Sequence, residues 1–196
     1  MNFLKPALII GLFLSSQFAY AVYPRSEADM MVLPPFCKAR LAPDRDKDPG
    51  YQEWMKRMGP NFIHIHHYCA GLFTMGLADK SFDKAEKVSH LNAALGELTY
   101  VVQHSTKPFK FLPRVIYDIG QAYEKLDNTT EAMKAYQRCI EMNPRLPIPY
   151  AALSDLFKKN NNKSDAIAIL EQGLKYKPKS KSLLSRMEKL GQGKKS

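Results

Sequence analysis

Two stretches of the C-terminal half lie over one another at a single fixed offset, and that repeat limits the fold more than any other feature. "RVIYDIGQAYEKLDNTTEAMKAYQRCIEMNP" and "IPYAALSDLFKKNNNKSDAIAILEQGLKYKP" pair Ile116 with Tyr150, Ile119 with Leu153 and Tyr123 with Phe157. Ala132 then pairs with Ala166, Tyr136 with Leu170 and Pro144 with Pro178, every pair 34 positions apart. Within each unit Ile116, Ile119 and Tyr123 recur at steps of three and four, which is one face of a helix. "LDNTTEA" breaks that helix, with Asn128 and two threonines suited to turn the chain and cap the next one. Ala132, Tyr136 and Cys139 face back, the small alanine letting two helices approach. Pro144 and Pro178 end each pair, because proline cannot continue a helix interior. Cys139 and Gly173 share the small buried position near the end of each second helix, so Cys139 reads as a packed thiol.

This period, with this order of residue types, resembles the tetratricopeptide repeat family. The resemblance implies an all-α fold, an α-solenoid of antiparallel helix pairs, with repeats over 113–146 and 147–180. "KSLLSRMEKLGQ" then begins a third unit and stops, as the solvating helix that caps such arrays does, so 181–196 is a capping helix and basic tail. Residues 60–112 read as a divergent, lengthened first pair. Ala85, Val88, Leu91, Leu95, Leu98 and Val102 stripe one long helix, and Gly96, Tyr100 and Pro108 echo the small-aromatic-proline spacing of a second helix. Residues 22–59 precede it as an extended N-terminal arm. By the family's pattern, Arg114, Tyr117, Gln121, Glu124 and Lys125 line a concave groove, followed by Ile148, Ala151, Ala152, Asp155 and Lys158. Family members that bind chaperones clamp a terminal carboxylate with lysine and asparagine; Tyr117, Gln121 and Asp155 depart from that set.

The start of the chain reads as a leader. "MNFLKPALIIGLFLSSQFAYA" has one lysine, an apolar run from Ala7 to Leu14 and a small-x-small ending at Ala19-Tyr20-Ala21. That is a secretory signal pattern, too short in its apolar core to span a bilayer. The expectation is a periplasmic or secreted protein that is not membrane-spanning. In such a compartment Cys37, Cys69 and Cys139 should give one disulfide and one leftover thiol.

Charge is uneven along the chain. From Leu156 to Ser196 eleven Lys/Arg face only Asp165, Glu171 and Glu188, whereas residues 22–155 are nearly balanced. Lys175, Lys177, Lys179 and Lys181 straddle Pro178 as a basic patch, suited to an anionic envelope surface or an acidic polysaccharide. An exported protein rarely meets nucleic acid, which is therefore not expected as a partner.

"FIHIHHYCAG" invites a metal or thiol reading. On a regular helix, however, His64 and His66 lie about 160° apart, so the three histidines cannot share one ion, and His64 and His67, one turn apart, could pair only with ligands from elsewhere. Phe62, Ile65, Cys69, Leu72 and Gly76 form the apolar stripe, His66 flanks it, and His67 points away. No metal and no cofactor are expected. Cys69 falls on the apolar side, where Cys37, in the proline-stiffened "VLPPFCKARL", can reach it and staple the arm to the helix. "DRDKDPG" alternates aspartates as a calcium loop does, but Met55 stands in place of the closing glutamate, leaving a charged surface loop.

No nucleophile–base–orienter set or phosphate-cradling loop is present. The leading expectation is a non-enzymatic periplasmic adaptor that binds a protein or peptide partner in its groove, within an envelope or polysaccharide-export assembly. The alternative is a metal- or thiol-dependent enzyme using His64, His67 and Cys69.

Overall fold

Proline starts and Asx caps cut the chain into helices. The computed structural model describes residues 22–191, so the expected leader over 1–21 and the tail lysines Lys194 and Lys195 lie outside the described residues. The described residues form α1 (Glu27–Met31), α2 (Pro35–Leu41), α3 (Pro49–Met58), α4 (Ile65–Lys80) and α5 (Lys84–His104). They continue as α6 (Leu112–Lys125), α7 (Thr129–Met142), α8 (Pro147–Lys159), α9 (Lys163–Tyr176) and α10 (Lys181–Lys189), with no strand among them. Short 3₁₀ turns occupy Arg45–Lys47 and Gly59–His64.

The repeat is visible in the turns as well as in the helices. Asn128 caps α7 by accepting from the Glu131 N–H, and Asn162, one period later, caps α9 from the Asp165 N–H. The residue before each cap, Asp127 and Asn161, sits in the left-handed region at φ 57° and 58°. Asp and Asn tolerate that region better than other non-glycine residues. Pro147 occupies the first turn of α8 and Pro113 that of α6, where a missing N–H costs nothing.

Consecutive helices pack as antiparallel pairs: α4 with α5, α6 with α7, α8 with α9, and α10 against both α8 and α9. Neighbouring pairs also touch through α5–α6 and α7–α8, so the all-α solenoid expected from the repeat is what forms. Small residues set the closest approaches. A Cβ on Gly120 would collide with the Tyr136 ring, and one on Gly173 would come within 2.8 Å of both Tyr150 and Leu183. Ala132, Ala166, Tyr136 and Leu170 are fully buried, as their shared positions require.

The region before α6 differs from its sequence reading in three ways. The stretch expected to be an extended arm is wound into α1, α2 and α3: Ser26 and Asp29 form a capping box at α1, and Pro35 and Pro49 open α2 and α3 as readily as they stiffen strands. Gly96 and Tyr100 do not take the buried small-aromatic positions. Gly96 is exposed, while Ala94 and Leu98 are buried, so the packed face lies two residues away. Ala85 and Val88 are likewise exposed. On the α4 side the chain is 3₁₀ through His64, and burial then wraps around the helix at Ile65, Tyr68, Cys69, Ala70, Gly71, Thr74, Met75 and Ala78. A helix covered on several faces carries no single stripe.

Two hydrophobic cores result. One gathers α2, α4, α5, α6 and part of α7 around Phe36, Tyr68, Leu91, Leu98 and Phe109, reaching Ala135 and Cys139; the other gathers α7 to α10 around Tyr136, Tyr150, Leu156, Leu170 and Leu183. Among the described residues, no helix is long and apolar enough to cross a membrane.

Candidate functional site

Helices α6, α8 and α10 are the first helices of successive pairs, and their side chains meet on one face. Asp155 of α8 accepts a two-pronged contact from Arg186 of α10, at 3.0 Å to Nε and 2.7 Å to Nη2. The Tyr117 phenol of α6 feels the charge of Arg186, and burial first, then nearby Asp118, pushes it up. Ser154, Asp155, Lys158, Ser185, Arg186 and Lys189 enclose a hollow of about 190 Å³ between α8 and α10.

The expected groove residues divide by role. Arg114, Ile148, Asp155 and Lys158 are exposed, and Tyr117, Gln121, Glu124, Lys125 and Ala152 are half-buried. Ala151 is 5% exposed and belongs to the core beneath them. Several are already engaged. Lys125 reaches back to Asp79 at the end of α4, and Glu124 accepts from the Tyr136 hydroxyl at 2.9 Å. Arg114 donates to Asp118 at 2.9 Å, and Tyr68 of α4 donates to the same carboxylate at 2.6 Å. Asp118 is only 1% exposed. Burial pushes its carboxyl upward, with Arg114 and then Tyr68 opposing; the same desolvation raises the Tyr68 phenol. Asp118 therefore ties the first repeat to the helix pair before it.

The basic residues do not form one patch. Lys175, Lys177, Lys179 and Lys181 all lie exposed around the tight α9–α10 turn, where the Ser180 N–H donates to the Lys177 carbonyl. Lys158, Lys163 and Lys189 line a separate concavity of about 500 Å³ at the opposite ends of the same helices. The length of α9, fourteen residues, puts roughly 20 Å between the two groups.

The histidines fold into a contact chain. His66 and His67 lie 4.1 Å apart between ring centroids, His67 and Tyr100 3.8 Å, and Tyr100 stacks on His104 at 3.7 Å. His67 does not point away into solvent: its Nδ1 is 2.6 Å from Glu97 of α5, because α5 covers that side of α4. Tyr23 joins the same carboxylate at 3.3 Å, and the Val22 carbonyl accepts from Thr74, so the described N-terminus is docked across α4 and α5. His66 is pushed down to about 4 by burial and by the charges of His67 and Arg40. Among the described residues, no group of three or more His, Cys, Asp or Glu is placed to hold a metal ion.

Cys37 and Cys69 are joined as a disulfide, Cα to Cα 5.6 Å, so the Cys69 sulfur is not a free nucleophile here. Cys139 is a buried thiol that donates to the Pro113 carbonyl at 3.1 Å, and burial pushes it up to about 11. In the 44–50 stretch, Asp48 caps α3 by accepting from the Gly50 N–H.

The tetratricopeptide repeat family matches residues 113–146 and 149–180. Those two stretches are tetratricopeptide repeats. The crystal structure of MamA aligns at a TM-score of 0.43 and 19% identity, covering 74% of this chain and 86% of that one. No curated protein matches the sequence. Sequence reasoning missed Arg186, which stands at the repeat offset from Ala152 and could have been found by extending the alignment into α10. It also missed Asp118, whose burial and partnership with Tyr68 leave no local signal, since the two lie 50 positions apart.

Proposed function

We propose that this protein is an adaptor of the cell envelope. The face shared by α6, α8 and α10 holds a segment of a protein partner, and the lysines of the α9–α10 turn face an anionic envelope surface or acidic polysaccharide. The observation that carries the reading is the face itself: Tyr117, Gln121, Ile148 and Lys158 remain accessible around the Asp155–Arg186 pair, which fixes α10 beside α8. A groove built on rigid helices positions contacts with little ordering cost. The role is scaffolding rather than catalysis, and the expected leader over 1–21 supports a periplasmic or secreted location.

The test is photo-crosslinking in intact cells, with the reactive residue at Gln121 or Ile148 and, as control, at the exposed Phe82. Discrete adducts with an envelope protein from the first two positions and not the third are expected. Equal adducts from all three, or a cytoplasmic location on fractionation, would overturn the reading. Charge reversal at Lys177, Lys179 and Lys181 should separately abolish salt-sensitive sedimentation with anionic vesicles or an acidic polysaccharide, each attraction fading within a Debye length.

A further inference from the structure

A cleft outside the repeats combines an aromatic wall with a basic rim. It lies between the end of α3 and the segment that leads into α6, with a volume of about 450 Å³, in the range of sites that take small ligands or a few side chains. Trp54, Phe109 and Phe111 form its wall, and Lys56, Arg57 and Lys110 its rim; no acidic side chain lines it.

The wall is held from behind. Phe36 meets Trp54 edge-on at 5.5 Å and Phe111 edge-on at 5.4 Å, and Phe36 itself precedes the disulfide cysteine Cys37. Phe111 also touches Tyr68 at 5.0 Å, which ties the wall to α4. The half-buried Trp54 and Phe111 therefore present fixed apolar surface to the cleft. Arg57 lies 4.9 Å over the Trp54 ring. Its ion pair with Glu53 is exposed on both sides and contributes little, so the guanidinium stays available. Lys56 and Lys110 are exposed and take part in no ion pair among the described residues.

We infer that this cleft docks an acidic peptide segment of a partner protein, one that carries an aromatic or aliphatic side chain beside its carboxylates. The apolar side chain lies against Trp54 and Phe111, where burial favours it. The carboxylates meet Lys56, Lys110 and Arg57, the last able to engage one in two-pronged fashion. Charge complementarity selects the occupant: three cations around an apolar wall disfavour a basic segment and leave a neutral one without its polar contacts. This site is separate from the α6–α8–α10 face and does not depend on its reading.

Trp54 is the chain's only tryptophan, so its emission reports on the cleft alone. A displayed random heptapeptide library would be selected on the wild-type protein and counter-selected on a Lys56→Glu/Lys110→Glu variant whose melting curve matches wild type. The expected result is enrichment of heptapeptides pairing Asp or Glu with an aromatic or aliphatic residue. Synthetic copies should shift Trp54 emission and bind the variant at least tenfold more weakly. Ile148→Ala should leave that binding unchanged, which separates this site from the groove. Failure to enrich any sequence dependent on the two lysines, or enrichment of basic or neutral sequences, would overturn the inference. An equal Trp54 response to inorganic phosphate or to anionic phospholipid vesicles would replace the peptide with a simple anion or a lipid surface, and would overturn it too.

Discussion

The two cores of this molecule are built by different means. From α6 onward buried positions recur at the repeat offset, Ala132 with Ala166 and Tyr136 with Leu170, and glycines admit neighbouring rings, Gly120 that of Tyr136 and Gly173 that of Tyr150. Before α6 nothing recurs. A disulfide, a chain of rings through Trp54, Phe36, Phe111 and Tyr68, and one carboxylate shared with the next pair hold α2, α3 and α4 together. The repeated core is stabilised by nearest-neighbour stacking, which adds unit by unit. The first core is stabilised by a few long-range ties, each of which matters singly.

That contrast predicts the largest effect. Replacing Cys37 and Cys69 with alanine opens a loop whose ends are 32 positions apart. It should cost about 3–4 kcal/mol of stability. The loss should fall on one side of the molecule. In urea, Trp54 emission should report unfolding of the first core at a denaturant concentration where far-UV circular dichroism still shows the repeats. A single transition by both probes, at the wild-type midpoint, would show that the staple is dispensable and the contrast false.

The same contrast explains what could be read from sequence. The repeats were legible because a period of 34 marks buried positions, caps and stops at once, down to Asn128 and Asn162. The all-α solenoid followed. α4 resisted reading because burial on several sides erases a stripe, and the side of His67, away from the expected stripe, is where Glu97 of α5 receives it. Windings of α2 and α3 were hidden by prolines that suit a helix start as well as an extended strand. Asp118 and Arg186 show the same limit on the proposed face: each takes its meaning from a partner far along the chain, Tyr68 in one case and Asp155 in the other.

Asp118 is where the two modes meet, since Tyr68 belongs to the first core and Arg114 to the first repeat. Asp118→Ala strands the buried Tyr68 hydroxyl and frees a half-exposed guanidinium. A cost of about 2–3 kcal/mol is expected, less than for a fully buried ion pair because Arg114 can rehydrate. The two probes should separate here also, with Trp54 emission and circular dichroism transitions no longer coincident. Tyr68→Phe, which removes only one hydrogen bond, should cost about 1 kcal/mol and leave them together. If Asp118→Ala unfolds in one step with the wild-type slope, coupling between the cores runs through packing and not through this carboxylate.

The smallest effect is set by pH and again separates the regions, because the histidine chain lies wholly on α4 and α5. Arg40 can only donate, and its Nη2 stands 3.1 Å from His66 Nδ1 and 2.8 Å from the Ile63 carbonyl. The Ile63 carbonyl, which can only accept, lies 2.8 Å from the same Nδ1, so Arg40 and Ile63 ask opposite tautomers of His66, while burial beside Arg40 disfavours the charged ring. Burial, then His67 and Arg40, bring its folded value down to about 4 from the ordinary 6.5. Between those values the unfolded chain binds the proton and the folded chain does not. The contribution is thus fully present above pH 6.5 and is lost as pH falls through about 4. Since the ring is half-exposed, solvent screening limits the loss to about 1 kcal/mol. Thermal melts followed by Trp54 emission should fall in midpoint from pH 7 to pH 4, and His66→Asn, which keeps an acceptor for Arg40 but cannot titrate, should flatten that dependence. Parallel pH profiles for wild type and His66→Asn would place the acid sensitivity elsewhere, with His64, lowered by burial and by His104, as the next group to replace.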